Sequence, residues 1–200
     1  MAGILPLTTI DNAVAYFGST GQSVQWTDAN KAVLSKMILA ISQAFENYSS
    51  HGFLLADETE SWKINTDFVW CYRWPVTSIA SVSVSATGRK SGLAPFSGEY
   101  EISPNEKGIL IYDVPEGALV QATYHGGLAA DTVSLISAYP DLEDLTLLQL
   151  VSEWKRHTMP DRTGVDLGGT GNTQWNGEIK LMSHVELRLD QNYVSQADFL

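Results

Sequence analysis

The chain is poor in the residues that small chemical sites are built from. It has one cysteine, Cys71, in 200 residues, so no internal disulfide can form and a disulfide-stapled secreted scaffold is excluded. With Trp70 on one side and Tyr72 on the other, Cys71 reads as a small buried hydrophobe. Histidine is scarce: His51, His125, His157 and His184 stand far apart, with no HExxH, no CxxC and no short-range His pair. A metal site would need ligands gathered entirely by the tertiary fold, so no metal and no cofactor are expected. No apolar run approaches the ~20 residues a membrane span needs, and the opening MAGILPLTT lacks the charged start of a signal peptide. Basic residues are few. Twelve Lys and Arg against 23 Asp and Glu leave a formal net charge of −11. Such a surface repels nucleic acid, which disfavours a DNA-gripping role but suits a wall that DNA slides past.

Hydrophobic content of 44% is enough for a real core, and the length suits one elaborated domain or two small ones. Thr8 or Thr9 can cap a short helix that Gly18 ends. A long helix over 28–50 follows, with Thr27 or Asp28 at its start. Its apolar residues Val33, Met37, Ile41 and Phe45, with Tyr48, recur at steps of three and four and predict one core-facing stripe. Strand signals lie at 68–74, 79–85, 100–102, 109–112 and 119–124, punctuated by glycines and prolines. A further helix over 141–158 has acidic residues at its start and Lys155, Arg156 and His157 at its end, so both ends match the helix dipole. Leu145, Leu148, Val151 and Trp154 form its expected core stripe. The two long helices are expected to pack on each other. The segment PDRTGVDLGGTGNTQWNGE is too poor in apolar residues to fold alone and reads as a flexible loop. A closing helix near 183–193 places Val185, Leu189 and Tyr193 on one face.

The predicted class is α+β: a small helical bundle with an inserted antiparallel β region and an extended C-terminal tail. Its parts are N-terminal core helices (1–52), a β-rich insertion (53–127), a core helix (128–159) and a Gly-rich loop with the closing helix (160–200). Gly168, Gly169 and Gly171 do not make a phosphate-binding loop, because no lysine is adjacent and no strand leads in. No GxSxG nucleophile elbow is present. Arg73, Arg89 and Lys90 form the compact basic cluster and read as solvated surface. His125 abuts Gly126 and Gly127 and reads as a loop residue after a strand. Six tryptophans could build a sugar-binding platform, but core and interface packing is the simpler use for them.

The order of motifs points further. LTTIDNAVAYFG followed by WTDANKAVLSKMILAISQAFENY is similar to the helical opening of the phage head–tail connector (adaptor) proteins, the portal-docking ring proteins of tailed phages. WPVTSIASVSV resembles that family's Pro-Val-x-x-Ile-x-x-Val strand, YEISPNEKGILIY its Tyr-x-Ile…Gly-x-Leu hairpin, and VQATYHGGLA its Val-x-Val-x-Tyr-x-x-Gly ending. YPDLEDLTLLQLVSEW resembles its Pro-x-x-Leu…Leu-Val helix. DRTGVDLGGTG and KLMSHVELRLDQNY look like its Gly-rich tail loop and closing helix. The chain departs from the pattern at Met182 or Ser183, where the family often has proline, and at Ala122, where a branched residue is usual.

The resemblance implies a non-enzymatic virion protein made in the host cytoplasm. Its copies would form a homo-oligomeric ring, dodecameric in the particle, below the portal protein. The ring would extend the DNA channel and dock the next stopper or tail-completion protein. The tail would dock the portal through Val185, Leu189 and Tyr193, with Phe199 and Leu200 as a final apolar contact, ordering on binding. The competing reading is a carbohydrate- or receptor-binding β module of a phage tail. An uncharacterised hydrolase ranks third.

Overall fold

The computed structural model describes residues 3–21, 24–158 and 179–193. They form five α-helices and seven strands in an α+β fold. The described residues divide into two compact units. A β unit holds Ser49–Asp131 with Gly3, Ile4 and Tyr193. A helical unit holds those of Leu5–Tyr48 and Thr132–Asn192.

In the helical unit, α1 (Ile10–Ser19) starts where Thr9 turns extended and its hydroxyl accepts from the Asn12 amide at 3.1 Å. Thr27 does the same for α2 (Asp28–Ser49), accepting from Asn30 at 3.2 Å. In α2, Met37, Ile41 and Phe45 are buried together with Leu34 and Ile38, and Val33 is half-buried. A short helix, α3 (Thr132–Ala138), precedes α4 (Pro140–Thr158) and was not expected. Its seven residues are rich in Ser and β-branched types, and Leu135 is the one it buries. Pro140 is the first residue of α4 rather than part of a preceding turn, a position where its missing N–H costs nothing. Among the helices, α3 and α1 have the nearest backbone approaches to α4. Phe17, Trp26 and Trp154 meet at ring separations of 5.3 to 5.7 Å.

The Leu148 expectation is corrected. Leu148 is 40% exposed and Val151 half-buried, whereas Leu142, Leu145, Leu147, Leu150 and Trp154 are buried. At about 100° per residue, steps of three drift round the helix. The buried arc of α4 runs instead through the polar residues Thr146, Gln149 and Glu153, which an apolar pattern skips.

In the β unit, a four-stranded antiparallel sheet has the order β1-β7-β3-β4, and a three-stranded sheet the order β2-β6-β5. The strands are β1 (Ala56–Lys63), β2 (Phe68–Trp70), β3 (Val76–Ser85), β4 (Ala94–Pro95), β5 (Tyr100–Ile102), β6 (Gly108–Ile111) and β7 (Leu119–Gly126). Val69, Ile109 and Ile111 from the smaller sheet share one core with Val76, Val82, Val120, Ala122 and Tyr124 from the larger, and Cys71 lies among them. Strand β1, ADETESWK, carried no strand signal because its half-buried positions include Glu58 and Glu60. Gly126 and Gly127 are required by close packing. A Cβ on Gly126 would lie 2.4 Å from the Arg73 carbonyl oxygen, and Gly127 combines φ +125° with the Leu54 carbonyl at 2.4 Å.

Candidate functional site

The expected docking stripe is not a surface. Val185 and Leu189, on α5 (Ser183–Asn192), are fully buried, and Tyr193 is 5% exposed with its ring edge-on to Phe53 at 6.1 Å. A marginal ten-residue helix gains its stability by burying its apolar face, and this one does so within the chain. Gln149 holds the segment leading into it. The Gln149 side-chain oxygen accepts from the Met182 amide at 3.0 Å, and its amide nitrogen donates to the Lys180 carbonyl at 2.9 Å and to Glu153 at 3.0 Å. Tyr48 donates to Asp190, and burial first and then that carboxylate raise the Tyr48 pKa. Phe199, Leu200 and the 160–178 glycines lie outside the described residues.

The outer side of the same helix presents a different feature. His184 and Arg188, one turn apart, line a hollow of about 350 Å³ with Tyr16 from α1 and Asp144, Leu145 and Leu148 from α4. The exposed Leu148 thus stands in a concave, mixed-charge surface, and Leu187 on α5 is 58% exposed. A leucine ringed by a carboxylate, a guanidinium and a phenol has the make-up of a protein contact, with an apolar centre and a polar rim. At the start of α4, Glu143 accepts from Thr8 at 2.7 Å and from Asn12 at 2.8 Å, so the acidic start also ties down α1.

The β unit carries its polar chemistry inside. His51 stacks on Trp74 at 3.8 Å, and its Nε2 donates to the Trp74 carbonyl at 2.6 Å. That bond assigns the tautomer and leaves Nδ1 as a buried acceptor without a partner among the described residues. Burial pushes the His51 pKa down to about 3, with Lys107 and Arg73 adding to the effect against the Trp74 hydrogen bond. Arg73, assigned above to solvated surface, is buried. Its Nε reaches Glu58 at 3.0 Å, while Arg89 and Lys90 lie on the exposed turn after β3. Glu60 accepts from the Tyr124 hydroxyl and from the Tyr72 amide at 2.8 Å, and burial raises its pKa. Tyr124 in turn accepts from the Arg73 amide at 3.1 Å. Burial likewise raises the Cys71 pKa, so its thiol stays protonated and inert.

The chain is similar in fold to proteins of gene transfer agent particles. It matches a chain from the virion of a native gene transfer agent (GTA) particle with a TM-score of 0.56 at 14% identity, over 98% of this chain and 93% of that one. A chain from the neck of an empty GTA particle, computed with C6 symmetry, matches with a TM-score of 0.54 at 15% identity, over the same shares. No protein-family model and no curated protein matches the chain.

The four histidines are not brought together. His51 is inside the β unit, His125 bonds Asp57 at 2.8 Å, His157 lies 6.1 Å from the Trp154 ring and His184 lines the hollow. Among the described residues, no three His, Cys, Asp or Glu side chains stand as a metal-ligating group. Among the described residues, Trp74 packs on His51, Trp70 against Phe68 at 4.8 Å, and Trp26 on Trp154. These four are taken up by ring contacts within the chain.

Proposed function

We propose that this protein is a non-enzymatic head–tail adaptor of a phage or phage-like particle. Copies form a ring beneath the portal, extend the DNA channel and dock a stopper or tail-completion protein. The observation that carries this reading is the fold likeness to neck and virion chains of a GTA particle across 98% of the sequence. Two further features support it. The charge of −11 keeps a channel wall from holding DNA. Leu148 and Leu187 are exposed on the helical unit, as are Leu39 and Val133, and a contact surface needs such apolar positions. With Val185 and Leu189 buried, portal docking is assigned to the outward face of α5 and the adjoining hollow. Native mass spectrometry and electron microscopy of the protein bound to its portal test the reading. A ring of twelve copies on the portal is expected. A single copy per complex, or no binding, overturns it.

A further inference from the structure

Among the described residues the β unit has four edge strands, and three are short; the part of β3 that β4 leaves uncovered is irregular in register at Val76/Ser78 and Ile79/Ser81. Strand β4 has two residues and ends in Pro95, and β2 and β5 have three residues each. Strand β1 has eight residues, no proline, and pairs with β7 residue for residue from Ala56↔Gly126 to Lys63↔Leu119 without a bulge. Its outer edge pairs with no strand among the described residues. A long, regular edge is a row of unmet backbone donors and acceptors, which soluble proteins ordinarily shorten, bulge or block. Leaving one of four intact marks it as a site for strand addition.

The side chains on its exposed face say which strand fits. They are Asp57, Thr59, Ser61 and Lys63, acidic at one end, basic at the other and hydroxylic between. Three are already aligned by β7. Asp57 is held by His125 at 2.8 Å, Thr59 pairs with Thr123 at 3.0 Å, and Ser61 accepts from Gln121 at 3.2 Å. Lys63 makes no ion pair among the described residues. An antiparallel partner should therefore carry a cation opposite Asp57 and an anion opposite Lys63. Strand β1 itself does.

We propose that β1 pairs antiparallel with β1 of a second copy, with Asp57 opposite Lys63 and Thr59 opposite Ser61, each pair made twice about a two-fold axis at Glu60. Side chains alternate across a strand, so only residues of the same face can oppose each other in a continuous sheet. Of the registers this allows, a shift of two residues one way sets Asp57 against Ser61, and the other way sets Lys63 against Thr59. Both lose the charge pairs. A parallel, in-register partner would set like against like. On the inner side the chosen register brings two Glu60 carboxylates across the axis. Each is already bonded to Tyr124 and Tyr72 of its own copy, and their repulsion limits the strength of the dimer. This two-fold contact uses one patch on both copies, unlike the head-to-tail contacts that close a ring. It is therefore a property of the free protein and does not rest on the neck reading.

Sedimentation equilibrium of the full free chain over a concentration series at low salt decides. A monomer–dimer equilibrium is expected. Lys63→Glu or Asp57→Lys should each weaken it about tenfold or more, the paired change Asp57→Lys with Lys63→Asp should restore it, and melting temperatures should stay close to that of the parent. An equimolar mixture of Thr59→Cys and Ser61→Cys proteins should cross-link on oxidation faster than either alone. A monomer at every concentration, a dimer indifferent to both single changes, or no rescue by the paired change overturns the proposal.

Discussion

The two units weight packing and buried polar groups differently. The helical unit closes mainly over rings and aliphatic chains, with Phe17, Trp26 and Trp154 at one end and Met37, Ile41 and Phe45 along α2, and buries Gln149 and Glu153 beside them. The β unit adds to its apolar core a strip of buried or half-buried polar groups: His51, Arg73, Glu58, Glu60 and Tyr124. Apolar contacts do not titrate and degrade in proportion to the volume removed. A polar strip holds only while every charge keeps its partner and every neutral group stays neutral. The contrast teaches that a small sheet can tolerate charge inside if the partners are supplied from the same few strands.

The largest effect should come from volume. Trp154→Ala removes a ring packed on both Phe17 and Trp26 and should cost about 3–5 kcal/mol in denaturant unfolding. An unchanged midpoint would mean that the aromatic cluster is not a core. In the β unit, Arg73→Met keeps much of the volume but leaves Glu58 without its cation. A loss of about 3 kcal/mol is expected in denaturant unfolding. An unchanged midpoint would mean that the Arg73–Glu58 pair adds nothing to stability.

Acid should separate the units next. The His51 pKa is about 3 folded against about 6.5 unfolded, so the unfolded chain binds the proton first. The stability linked to His51 is therefore complete above pH 6.5 and is lost as pH falls toward 3, at up to about 1.4 kcal/mol per pH unit. Glu60 acts the other way, because its raised folded pKa lets the folded state gain as pH drops. The comparison between the parent and His51→Phe isolates the histidine: the variant should show a flatter acid limb between pH 6 and 4. Equal slopes would refute a buried neutral His51. The smallest effect on folding belongs to Leu148→Ser, within about 0.5 kcal/mol by thermal melting, since the side chain is exposed. The same change should weaken portal binding measurably; unchanged binding would move the contact away from the hollow.

Much of the helical unit was legible because its signals are local. Of the caps the sequence offered, Thr8 or Thr9 and Thr27 or Asp28, it is Thr9 and Thr27 that serve, and the charges at both ends of α4 stand in the turns expected. The Leu148 misreading and the missed strand β1 share one cause. In both, a polar side chain occupies an inward position, Gln149 and Glu153 on α4 and Glu58 and Glu60 on β1, and its partner comes from another element. Arg73 was misread for the same reason, as its burial depends on Glu58 and the Leu54 carbonyl.

The sequence by itself determined the α+β class, the cap candidates and the stripe of α2 at Met37, Ile41 and Phe45, because each follows from spacing and side-chain type over a few residues. Only the tertiary structure decided which polar residues go inside, that Val185 and Leu189 are spent within the chain and that the outer edge of β1 pairs with no strand among the described residues. Those outcomes depend on partners 12 to 64 residues away, as in Tyr72 with Glu60 and Tyr124 with Glu60. The free energy of a buried polar group is set by whether such a partner arrives, and no local pattern records that.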